Sequence, residues 1–288
     1  MTQQQLGLWV QDQDAAAGRL HAPILVEATE RAAPAGTVRI GTAGWGLPLA
    51  SAAAFPGEGT HLARYARVLR CAEINSSFYR SHRQSTYARW AAQTGPGFRF
   101  SVKLPRTITH QGRLRNAAAL LTQFLDEVGG LGDKLGVVLV QLPPSLAFDA
   151  PTAAGFFGCL REHHAGAVVC EPRHPSWFAP AAEALLVAWR VARAGADPAR
   201  VAAAARPGGW LGDAGEPAGG AAVVYQRWHG TPRIYYSRYD GDWLRQRASE
   251  VAALPRPADC WCIFDNTAAG AAIENALELQ ALLDSPPG

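Results

Sequence analysis

The sequence predicts an α/β fold: a single-domain (β/α)8 TIM-type barrel with a degraded sixth unit and an N-terminal extension. Two observations carry this. Short apolar runs alternate with helical stretches, which means parallel strands joined by helical crossovers, and eight such runs follow one another. A third observation argues against an open dinucleotide-binding sheet, since no G-x-G-x-x-G follows the first run.

Residues 1–36 are polar, Ala-rich and weakly patterned, and read as an extension or cap on a barrel of residues 37–288. The apolar runs are 38–45, 71–79, 98–104, 136–142, 167–173, 191–197, 222–229 and 260–265. Helical patterns fill the intervals at 60–70, 85–93, 116–128, 151–164, 180–188, 242–253 and 268–283. Asp149 is placed to cap the fourth of these, with Pro151 in its first turn. The sixth run, 191–197, is poor in β-formers and leads into a Gly/Pro-rich loop at 207–220. That loop reads as an idle insertion, with a flexible lid as the alternative.

Composition narrows the function. The 288 residues are 48% hydrophobic, enough for a sizeable core, and the net charge of +3 lacks the dense basic clusters of duplex-DNA binders. Lys103 and Lys134 are the only lysines, so Arg dominates the cations. Cys71, Cys159, Cys170, Cys260 and Cys262 form no C-x-x-C pair and read as reduced thiols of a cytoplasmic protein. The N-terminus carries no signal-peptide pattern, and no apolar run reaches the ~18–20 residues of a membrane span. Phosphate-loop, nucleophile-elbow and kinase motifs are missing.

Alternation along the strands sorts side chains by face. Phe98, Phe100, Val102 and Leu104 should face the helices, leaving Arg99, Ser101 and Lys103 toward the interior. Glu171 and Arg173 share a face, as do Tyr225, Arg227 and His229, and Glu73 and Asn75. Gln141 closes the fourth strand, and Asp265 and Asn266 follow the eighth. Polar groups thus gather where strands end, the end of a barrel that carries active sites.

Lys103, Arg173 and Arg227 converge there and are expected to bind a small anionic ligand, phosphorylated, carboxylated or nucleotide-like. Glu171, His229, His110 and Asp265 are the acid/base candidates. Asn75, Gln141, His174 and Asn266 would complete the ligand contacts. Trp45, Tyr79 and Trp177 would stack a ring, and would form the platform if the barrel instead binds single-stranded nucleic acid without catalysis. No cofactor is required by the sequence. A divalent metal is an alternative, on His174, Asp197 and His229, and would make the protein a phosphoesterase.

Seven segments also carry a family resemblance: IGTAGW (40–45), EINSSFY (73–79), FSVKLPRTITH (100–110), QLPP (141–144), EPRHPSW (171–177), YQRWHG (225–230) and FDN (264–266). Their order resembles that of the YecE-like family, domain of unknown function 72. The resemblance implies a TIM-type barrel and no established reaction. The family's shape is similar to the metal-dependent endonuclease IV and xylose isomerase barrels, an analogy of fold that does not carry function. Asp265 stands where that family more often has Asn, and Asp197 matches its acidic residue on the sixth strand.

Overall fold

A computed structural model of the chain describes residues 37–212, 222–254 and 259–284. The expected extension at 1–36 and residues 213–220 of the expected loop lie outside the described residues. The apolar runs become strands of one sheet: β1 (Val38–Ala43), β2 (Cys71–Ile74), β3 (Arg99–Lys103), β4 (Leu135–Gln141) and β5 (Ala167–Glu171). The short β6 (Ala192–Arg193), β7 (Gly195–Asp197) and β8 (Gly208–Gly209) follow, then β9 (Val223–Trp228) and β10 (Asp259–Phe264). The strand order is β7-β9-β10-β1-β2-β3-β4-β5-β6-β8, with parallel pairing except between β6 and β8.

β6 and β7 are separated by Ala194 alone, whose N–H donates to the Cys170 carbonyl at 2.9 Å. β6 pairs with β5, setting Ala192 opposite Val169, while β7 pairs with β9, setting Ala196 opposite Arg227. The sheet therefore curls into a nearly closed, barrel-like ring. The helices α1 (His61–Tyr65), α2 (Gln84–Ala92), α3 (Ala118–Val128), α4 (Ala150–His163), α5 (Pro180–Ala188), α6 (Gly241–Ala252) and α7 (Ala271–Asp284) occupy the crossovers. Asp149 caps α4, its Oδ2 accepting from the Thr152 N–H at 3.1 Å. None of the described helices is long and apolar enough to cross a membrane.

Two segments differ from expectation. The strand expected over 71–79 stops at Ile74, and Ser76–Phe78 forms a helical turn. Ser77 Oγ holds this turn, lying 2.9 Å from the Ile74 carbonyl and 2.6 Å from that of Lys103. After β7 comes a helical turn at Ala202–Ala205, and the strand β8 forms at Gly208–Gly209, inside the segment expected to be a loop. Arg193 anchors this region. It pairs with Glu183 of α5 and donates to the carbonyls of Ala203 and Arg206, each at 3.0 Å, while Glu183 accepts from the Gly209 N–H at 2.7 Å.

Two apolar layers follow from the alternation. Phe98, Phe100, Val102 and Leu104 join the layer between sheet and helices. Val137, Val169, Ala192, Ala194, Tyr225 and Trp261 form the second, inside the ring. Tyr225 and Trp261 stack there with ring centroids 6.0 Å apart. Two such rings leave room for little else, which accounts for the small side chains of the sixth run. It also accounts for Gly136, where a Cβ would lie 2.5 Å from the Trp261 ring. Substituting Gly136→Val should therefore cost about 1–3 kcal/mol by overpacking, read as a lower urea midpoint; an unchanged midpoint would show that the indole yields freely.

Candidate functional site

Alternation along β2, β5 and β9 brings Glu73, Glu171, Tyr225 and Arg227 together, and Asp265 and His229 join them one residue past β10 and β9. Arg227 is the hub. Its Nε and Nη2 donate to Glu73 Oε2 and Oε1 at 2.9 and 2.7 Å, a two-point contact. Its Nη1 donates to Glu171 Oε2 at 2.8 Å, and Asp265 Oδ2 lies 3.0 Å from Nη2. The residue is wholly buried. Burial works against its charge, but Asp265, Glu73 and Glu171 outweigh burial and push its pKa further up. The Tyr225 hydroxyl lies 3.0 Å from Glu73 Oε2, the oxygen that also accepts from Arg227 Nε, and 2.8 Å from Ser101 Oγ.

Glu171 is the second node. Burial would raise its pKa, but Arg227, Arg173 and His229 hold it well below the usual carboxylate range. Its Oε1 accepts from Arg173 Nε at 3.0 Å and from Gln141 Nε2 at 3.3 Å. Asp265 follows the same pattern: burial raises it, and Arg227 and His229 bring it below its ordinary value.

His229 joins the two nodes. Nδ1 is 2.9 Å from Asp265 Oδ2, and Nε2 is 3.2 Å from Glu171 Oε1 and 3.4 Å from Arg173 Nη2. With Nδ1 donating to Asp265, a bare Nε2 accepts from Arg173 and a protonated Nε2 donates to Glu171. Either state of the ring has a partner.

Lys103, at the end of β3, differs from the other two cations. Its ammonium sits 4.1 Å from the centre of the Phe78 ring, and among the described residues no carboxylate lies within ion-pair distance of it. Burial and the nearby Arg227 lower its pKa to about 8, with Glu73, Glu171 and Asp265 opposing. His110 packs edge-on against the other participant, Phe78, at 4.9 Å. Burial, Lys103 and Arg173 hold its imidazole below its ordinary pKa.

The remaining candidates lie as follows. Asn75 Nδ2 points at Asp265 Oδ1 from 3.5 Å, and its own buried Oδ1 has no hydrogen-bond partner. Asn266 Nδ2 bonds the Ser237 carbonyl and Asn275 Oδ1, both at 2.9 Å, and so ties loops together. His174 Nδ1 caps the turn Pro175–Phe178 by accepting from the Ser176 N–H at 3.2 Å. Trp45 packs edge-on against Trp90 and Phe100 at 5.2 and 5.9 Å. Tyr79 is 70% exposed.

Three expectations need correction. Arg227, expected to face a ligand anion, is instead wholly buried and paired with Glu73, Glu171 and Asp265. Trp177 is no stacking surface: it is buried, its Nε1 donating to the Leu146 carbonyl at 2.9 Å. Asp197, His174 and His229 do not gather as metal ligands. Asp197 Oδ1 accepts from Thr231 Oγ1 at 2.6 Å and Tyr239 Oη at 2.7 Å, His174 is a cap, and His229 is held by Asp265. The one described group of potential ligands within 4.8 Å of one another is Cys159, Glu162 and His163, on α4.

Sequence reading overlooked Phe78, because the period-2 pattern continued past Ile74 and gave its ring no role. The Ser76-Ser77 pair, with hydroxyls able to bond carbonyls of the preceding turn, was the available sign of a strand end there.

The fold and site define a barrel-like α/β protein with a buried ion cluster at the carboxyl ends of its strands. Residues 39–287 match the family described as "Protein of unknown function DUF72", and the chain belongs to that family. It is 35% identical over 125 residues to UPF0759 protein YecE of Escherichia coli, in strain K12 and in O157:H7 alike. Those stretches cover 43% of this chain and 45% of the relatives, so the match spans under half of their length. A crystal structure of a DUF72 family protein from Thermotoga maritima is 21% identical, covering 86% of this chain and all (100%) of that one, with a TM-score of 0.69. One from Enterococcus faecalis is 18% identical, covering 88% of this chain and 97% of that one, with a TM-score of 0.68. These two likenesses establish the fold alone.

Removing the hub leaves carboxylates buried without a counter-charge. Arg227→Met should cost about 3–5 kcal/mol near neutral pH. Glu171 and Asp265 lie below their ordinary values, so their ionisation contributes stability present above about pH 4–5 and lost as pH falls through the folded values. The variant's deficit should shrink toward pH 4, where protonation relieves the stranded charge. Urea unfolding of both proteins at two pH values checks this, and an equal deficit at each would contradict the hub assignment.

Proposed function

We propose that this chain is an enzyme that performs acid/base chemistry on a small anionic ligand at the carboxyl ends of its strands. In this reading the sheet is a (β/α)8 barrel: β6 and β7 are one strand split by Ala194, β8 is an addition, and residues 1–36 precede the barrel domain. The five cysteines are free among the described residues, which fits a reducing, cytoplasmic setting.

The observation that carries the reading is the setting of His229. A carboxylate on Nδ1 orients the ring, and Nε2 meets a donor in Arg173 and an acceptor in Glu171. An imidazole so held can give or take a proton without losing its hydrogen bonds. Glu171 and Asp265, both expected as proton carriers, are held as carboxylates by Arg227 and serve better as fixed charges that orient and stabilise His229. Lys103 and Arg173, the latter partly exposed, are the cations left to meet a ligand's phosphate or carboxylate. His110, Asn75 and Gln141 border them.

The two alternative readings draw less support. A stacking platform for single-stranded nucleic acid loses Trp177 to the interior and retains Tyr79. A metal-dependent phosphoesterase would need Asp197, His174 and His229 to converge, and among the described residues they form no such group.

A thermal-shift screen of phosphorylated and carboxylated metabolites tests the proposal. Ligands that raise the melting temperature should bind Arg173→Ala and Lys103→Ala at least about tenfold more weakly, the loss of one charge-assisted hydrogen bond. His229→Asn should keep binding and lose about 100-fold or more in turnover of the ligand so found. Binding unchanged by both cation variants would overturn the anion site. Full turnover without His229 would overturn the acid/base role.

A further inference from the structure

We infer that Lys103 is a nucleophile that forms an imine with an aldehyde or ketone group of the ligand, an inference that takes the ligand's location from the reading above. The geometry sets this lysine apart. It ends β3 at the same end of the sheet as Arg173 and His229, and its side chain is desolvated but its ammonium rests on a ring face rather than on a carboxylate. The carboxylates nearest to it are already committed: Glu73 and Asp265 to Arg227, and Glu171 to Arg227 and Arg173. A lysine needed only to balance charge would be drawn into that pairing. Desolvation beside other cations favours the neutral amine, the form with a lone pair to donate.

The groups around Lys103 act in both directions. Arg227 on β9 favours the neutral form, while Glu73 on β2, Glu171 on β5 and Asp265 after β10 favour the cation. His110, in the turn after β3, is itself held toward its neutral form by Lys103 and Arg173. The balance lowers the pKa to about 8. Near pH 7.5, about a quarter of such amines are neutral, against about one in a thousand for an ordinary lysine.

The step balances without an oxidant or reductant. The Nζ lone pair forms a C–N bond to the carbonyl carbon, and the C=O π pair moves to oxygen. Nitrogen gives up a proton, the oxygen is protonated and leaves as water, and a protonated imine results. In this proposal the proton transfer between nitrogen and oxygen falls to His229, whose Nε2 has a partner in either state. The imine nitrogen, now cationic, can draw electrons from the adjacent carbon, which would make proton removal or C–C cleavage next to the carbonyl the class of reaction served.

The chain's two lysines make the test clean, since Lys134 is buried with its Nζ on the Gly95 carbonyl. The folded protein is incubated with glyoxylate or acetaldehyde and cyanoborohydride near neutral pH, and adducts are located by peptide mass spectrometry. Lys103 should label at least about tenfold faster than Lys134, with a rate rising to half its maximum near pH 8. Lys103→Arg, which keeps the cation, should lose that adduct alone. Labelling by both probes alike, unaffected by Arg173→Ala, would uphold the nucleophile and sink the anion site. Glyoxylate that stabilises the protein through Arg173 yet leaves Lys103 unlabelled would overturn the nucleophile and leave the anion site standing. Labelling no faster than that of Lys134 would likewise overturn it.

Discussion

A guanidinium without access to water must have its charge met inside the fold, and at Arg227 three chain segments meet it at once. Glu73 arrives from β2, Glu171 from β5 and Asp265 from the end of β10. Burying an ion costs several kcal/mol even after relaxation, so these strands cannot slip or splay without stranding charge. The cluster acts as a register pin across opposite sides of the ring. Below it the interior is apolar, filled by Tyr225 and Trp261. Tyr225 spans the boundary, with its ring in the apolar layer and its hydroxyl on Glu73.

The same constraint shapes the chemistry. Because Arg227 occupies the carboxylates, Lys103 is left without one, and the depressed lysine follows from the satisfied arginine. Because Glu171 and Asp265 are held ionised, the proposed acid/base role falls to His229. Three cations against three carboxylates looks like a neutral structural cluster on a simple count. The distribution is uneven, with one cation receiving three carboxylates and another none.

Much of this was legible in the residues. Strand alternation put Ser101, Lys103, Glu171, Arg227 and His229 on their observed faces, because the period of a β-strand is rigid. Which cation was the hub and which was left over was not legible, because pairing depends on distances across the ring, between residues over 150 positions apart such as Arg227 and Glu73. Trp177 shows a second limit. A loop tryptophan three residues past His174 invites a stacking role, and only the packing of Phe148 and the Leu146 carbonyl against it reveals a core position. The sixth unit illustrates a third. Its Ala/Gly sequence has low strand propensity, yet partners on both sides and the bulky rings within the ring of strands hold it extended.

The titration of Lys103 tests the central claim most directly, and with Lys134 the only other lysine its 13C-labelled side chain gives an assignable NMR signal. If Arg227 has taken the carboxylates, Lys103 should titrate at about 8. A midpoint at the ordinary value near ~10.4 would mean that a carboxylate serves Lys103 after all, and the division of charge described for this site would be wrong.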